Sequence, residues 1–112
     1  MAITVKTPAA KTTFPKAAVE KALLDGLVDG VTNEAIVKNY KIPDKVSDLV
    51  KASVYVDSLM TVDVLCSVEP VIGFELPQHV VKTGGYGSIE AAVNHVLGRI
   101  EREWNKRNGV KT

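Results

Sequence analysis

Residues 56–73 read VDSLMTVDVLCSVEPVIG, and this stretch decides the fold. Asp57 is a strong helix start, because its carboxylate accepts a backbone N–H that the first turn leaves free. Gly73 is a natural stop, since glycine takes the left-handed backbone that closes a helix. Laid out at about 100° per residue, the segment between them carries two apolar stripes. Val64, Leu65, Val68, Val71 and Ile72 form a broad face suited to a core. Leu59, Val62 and Cys66 lie nearly opposite, flanked by Asp63 and Glu69. A helix buried on one side normally turns a polar face outward. An apolar ridge framed by carboxylates predicts a surface for another protein, with apolar contact for affinity and acids for steering. The alternative is a bundle that wraps this helix and buries both stripes.

The flanking sequence supplies more helices. Val19, Leu23 and Leu27, with Leu24, Val28 and Val31, predict an amphipathic helix from Pro15 to about Asp29. Gly26 and Gly30 weaken it, at about 1 kcal/mol each relative to Ala. Residues 32–56 read as a long connection. Thr32 or Asn33 caps a turn at 34–40, and Pro43-Asp44 opens another through Leu49 and Val50. Ser53-Val54-Tyr55-Val56 is extended chain, too short and solitary to found a sheet. Beyond Pro77 come a short helical turn at 77–82 and a glycine loop, Thr83-Gly84-Gly85-Tyr86-Gly87. Ser88 then caps a last helix with the stripe Ile89, Val93, Val96, Leu97, Ile100 and Trp104. The expected fold is all-α, a small four-helix bundle with a long first connection. It occupies 15–105 between flexible tails at 1–14 and 106–112.

With 112 residues, one domain is expected. Net charge is +1, yet 17–97 holds six lysines against eleven acids, and both ends are basic. No Lys or Arg lies between Lys51 and Lys82, where Asp57, Asp63, Glu69 and Glu75 all fall. Averaging hides this acidic centre. Aromatic content of 5% argues against a base-stacking surface, and the basic end of the last helix suits its dipole, so no nucleic-acid partner is expected. The single Cys66 makes no internal disulfide. It sits mid-helix without a neighbouring base, which favours a packing or interface role over nucleophilic chemistry. His79 and His95 lack ligand spacing, so no metal is expected. With no secretory signal pattern and no long apolar run, the expectation is a cytoplasmic protein with no membrane partner.

Ser58 follows the cap, so its hydroxyl is placed at the head of the helix, where negative charge is favoured. The residues around it add register to this pair. Asp57-Ser58-Leu59, then Val62-Asp63, Glu69 and Gly73-Phe74-Glu75-Leu76-Pro77 resemble the second helix and following loop of acyl carrier proteins. The terminal GSIEAAVNHVLGRI resembles that family's last helix, and 15–29 fits its first. The resemblance covers roughly 15–103, with its specific motifs at 56–77. It implies a monomeric, non-enzymatic carrier of the acyl-carrier-protein type, made active when a phosphopantetheinyl transferase attaches 4′-phosphopantetheine to Ser58. The thiol of that group holds an acyl or related intermediate of fatty acid or polyketide biosynthesis. Partners would be acyl-transferring or condensing enzymes with basic patches, meeting Asp57, Leu59, Val62, Asp63, Cys66 and Glu69.

The sequence departs from the family at Val56, where a small residue is usual, and at Met60, where an acid is common. Pro70 lies inside the helix and predicts a kink or an early end near Glu69. These departures point to a specialised carrier. The alternative they leave is a carrier-like interaction module that binds its partner without modification.

Overall fold

A computed structural model describes residues 13–108 of the chain. The first helix, α1 (Lys16–Lys38), buries Val19, Leu23, Leu27, Val31 and Ala35, one residue every four along a single face. It therefore runs well past the expected end at Asp29. The stripe continues through Val31 into Ala35, whose small side chain gives little periodic signal. Thr32 and Asn33 are consequently interior helix residues rather than caps. The stop comes at Asn39, a left-handed residue at φ 57° whose N–H returns to the Ala35 carbonyl. Asparagine tolerates that conformation better than most side chains. The first connection is thus shorter than expected, and α2 (Val46–Lys51) within it buries Leu49.

The central helix, α3 (Ser58–Ile72), starts and stops where the sequence places it, with Asp57 as N-cap and left-handed Gly73 as C-cap. Pro70 does not end it early. The proline lacks the N–H that would bind the Cys66 carbonyl, on a turn where Cys66 and Pro70 are both exposed. The last turn is still closed by the Gly73 N–H on the Glu69 carbonyl at 2.8 Å.

α1 packs most extensively on α3. Its two glycines explain the close approach. A Cβ on Gly26 would lie 2.7 Å from a Val64 methyl, and one on Gly30 2.8 Å from the Met60 sulfur. The helix-weakening residues are therefore the points where α3 side chains enter the α1 backbone.

The last helix, α4 (Ile89–Arg107), is capped by the Ser88 hydroxyl, which accepts the Ala91 N–H at 3.0 Å. Its whole predicted stripe is buried. Ile89 and Ile100 are fully enclosed, each stabilising the fold by about 1.5–3 kcal/mol. Residues 106–107 belong to this helix and not to a tail. At the other end, Phe14 packs on Trp104 with ring centroids 5.9 Å apart, which draws it into the body as well. The remainder of the expected tails, 1–12 and 109–112, lies outside the described residues.

The protein is thus an all-α bundle of four helices. A single 3₁₀ turn, Gln78–Val80, joins α3 to the loop before α4. An antiparallel bridge ties Val56 to Tyr86, with N–H···O distances of 2.8 and 2.9 Å. Extended chain therefore does lead into Asp57, as expected, and it is anchored to the glycine loop.

Candidate functional site

At the head of α3, Asp57 is committed to structure. Its Oδ1 accepts the Leu59 N–H at 2.6 Å. Its carbonyl accepts both the N–H (3.1 Å) and the hydroxyl (3.0 Å) of Thr61. Thr61 is fully buried, so this pairing satisfies a hydroxyl that would otherwise be costly there. Immediately before Asp57, Val56 is fully enclosed and bridged to Tyr86. Ser58 is held from both sides, and among the described residues its own hydroxyl has no hydrogen-bond partner. It is half-buried at the end of the helix that favours negative charge.

The outward stripe of α3 is present. Leu59 is 73% exposed, and Cys66 and Asp63 are exposed, while Val62 is half-buried against the core. Of the flanking acids, Glu69 also holds backbone, because its Oε2 accepts the Leu76 N–H at 2.8 Å. This bond folds Gly73–Pro77 back against the helix, so that Leu76 is buried. The Arg107 guanidinium covers Phe74 at 4.4 Å from the ring centre. Asp57 and Glu69 are half-buried along α3, and each fixes the chain beside it.

Ser58 opens onto a groove of about 290 Å³ between the start of α3 and the 3₁₀ segment. Leu59, Val62 and Val81 give it apolar walls, and Lys82 and His79 stand at its edge. A larger cavity of about 540 Å³, between α1 and α2, shares none of these residues. Size alone would favour it, but none of its lining residues comes from α3.

Sequence reasoning missed the groups that shape this groove. The Lys82 N–H donates to the Tyr86 hydroxyl at 2.8 Å, and that hydroxyl lies 2.7 Å from His95 Nδ1 on α4. The Tyr55 hydroxyl donates to the Gly84 carbonyl at 2.9 Å. Gly85, at φ 81°, passes so close to the Val56 carbonyl and the Tyr55 ring that a side chain has no room. His95 is held below the usual histidine range, first by burial and then by Arg99, Lys82 and Arg102. The spacing of Tyr86 and His95 gives no signal for this contact, which arises only because the loop turns back onto α4. No protein-family model, curated protein or solved structure matches the chain.

Proposed function

We propose that the protein is a divergent, non-enzymatic acyl carrier, modified on Ser58 with 4′-phosphopantetheine. The observation that carries this is the Ser58 hydroxyl, unpaired among the described residues, at the first residue of α3, at the head of an exposed ridge and at the edge of a groove. The residues present fit the group. Ser58 offers the oxygen, the α3 start and Lys82 offer positive potential to a phosphodiester, and Leu59, Val62 and Val81 offer an apolar wall beside it. Modification joins the Ser58 oxygen to the β-phosphorus of coenzyme A. The bond to the 3′,5′-ADP portion breaks, and the serine proton passes to a base of the transferase. When bound, the group supplies a thiol that carries an acyl or related intermediate as a thioester.

The departures from the family pattern are absorbed by packing. Val56 fills the core behind the site, where a smaller residue would leave a void. Met60 lies against Gly30 of α1, a contact that an acid would make poorly. Pro70 sits on the exposed side of α3. The acidic stretch of α3 fits basic patches on a transferase and on acyl-transferring or condensing enzymes, with Leu59 as the apolar contact. A fluorescent coenzyme A analogue and a broad-specificity transferase test the assignment in a gel. Label is expected on the wild-type chain and none on Ser58→Ala. Label that persists in Ser58→Ala contradicts it.

A further inference from the structure

The loop bearing Lys82 reaches the groove at Ser58 on one side and α4 on the other, and two of its attachments meet at a single phenol, beside the Tyr55 bond to the Gly84 carbonyl. Tyr86 is buried, its backbone is paired with Val56, and its hydroxyl accepts the Lys82 N–H. The phenol still has its own proton, which it can donate to His95 Nδ1, 2.7 Å away, when that nitrogen carries none. That donation requires an unprotonated Nδ1, and so a neutral ring with its proton on Nε2. A protonated ring forces Tyr86 to accept twice and to turn its own proton out of the contact. It also adds a positive charge near Lys82 of the loop and Arg99 and Arg102 of α4, the charged groups that act on His95. Arg99 is itself tied to the His79 carbonyl at 2.9 Å.

We infer that His95 is a positioning residue for the Ser58 site, holding the Lys82 side of the groove through the Tyr86 hydroxyl and releasing it when the ring is protonated. The link to modification rests on the carrier assignment, whereas the attachment of the loop does not. Release loosens two things together: the placement of Lys82, and the Val56 bridge that leads directly into Asp57 and Ser58. Depressed titration of His95 agrees with this direction, since the neutral ring is the form that the fold holds.

Nuclear magnetic resonance of the unmodified protein from about pH 8 to about pH 5 tests it. The Val56, Lys82 and Tyr86 amides are expected to titrate with the midpoint of the His95 ring. Their hydrogen-exchange protection, corrected for intrinsic rates, should fall roughly two- to tenfold, the equilibrium range for one lost hydrogen bond. Core amides such as Val68 and Ile100 should keep theirs. His95→Asn, with an acceptor near the Nδ1 position and no titration, should stay protected throughout, and Tyr86→Phe should be unprotected throughout. Val56 and Lys82 amides that ignore the ring titration, or a His95→Asn protein that repeats the wild-type pH profile, overturn the inference. Transferase labelling of Ser58, taken as the ratio of wild type to His95→Asn at each pH, separates the two claims. A ratio that changes as the ring protonates supports both. A flat ratio overturns the link from His95 to Ser58, and a loop that moves on a chain no transferase labels overturns the carrier assignment alone.

Discussion

Removing the Asp57 carboxylate leaves the Leu59 N–H without its partner at the start of α3. Asp57→Ala should therefore cost about 0.5–2 kcal/mol, read as a lower denaturant midpoint at unchanged slope. Ser58→Ala removes a hydroxyl without a partner among the described residues, so its stability should stay within about 0.5 kcal/mol of wild type. This contrast separates a structural residue from a presented one at adjacent positions. The capping role of Asp57 and the place of Ser58 were legible in the sequence because both depend on local backbone. The Glu69 bond to Leu76 was not, because it forms only once the chain has turned back on α3. The Tyr86–His95 contact was hidden for the same reason.

At the scale of elements, Gly26 and Gly30 look equivalent in sequence and differ in surroundings. Helix propensity alone makes either glycine-to-alanine change stabilising by about 1 kcal/mol. At Gly26 the new methyl meets the stiff, buried Val64, so Gly26→Ala should destabilise by about 1–3 kcal/mol through overpacking. At Gly30 it meets the flexible Met60 sulfur, which can move aside, so Gly30→Ala should be neutral or stabilising. Thermal midpoints of the two variants check the opposite signs. Helix α4 was legible through its large apolar residues, which mark every turn to Trp104, although buried Ala92 gave no signal. The far half of α1 was obscured by Gly30 and Ala35, which carry little hydropathy signal although Ala35 is buried. Pro70 was read as a kink or an early end near Glu69, and the early end is absent, since one missing backbone bond is too mild to end a helix with a buried face.

For the molecule as a whole, His95 links stability to pH. Its folded pKa lies below the ordinary value of 6.5, so the unfolded chain binds its proton first on acidification. The stability contributed by the neutral ring is fully present above about pH 6.5 and is lost as pH falls through the folded value. The melting temperature, followed by the fluorescence of buried Trp104, should decline across that window in wild type and less in His95→Asn. An equal decline in both proteins would contradict this. The bundle was legible as a class because the three long helices each carry an apolar stripe. The groove beside Ser58 was not, since it is made by a loop folding onto a helix start. Whether that groove and hydroxyl serve a carrier is tested most directly by intact mass of the chain after coexpression with a broad-specificity transferase. A gain of one phosphopantetheine is expected, localised to Ser58 by fragmentation and absent from Ser58→Ala. An unchanged mass, or the group found on any other residue, would contradict it.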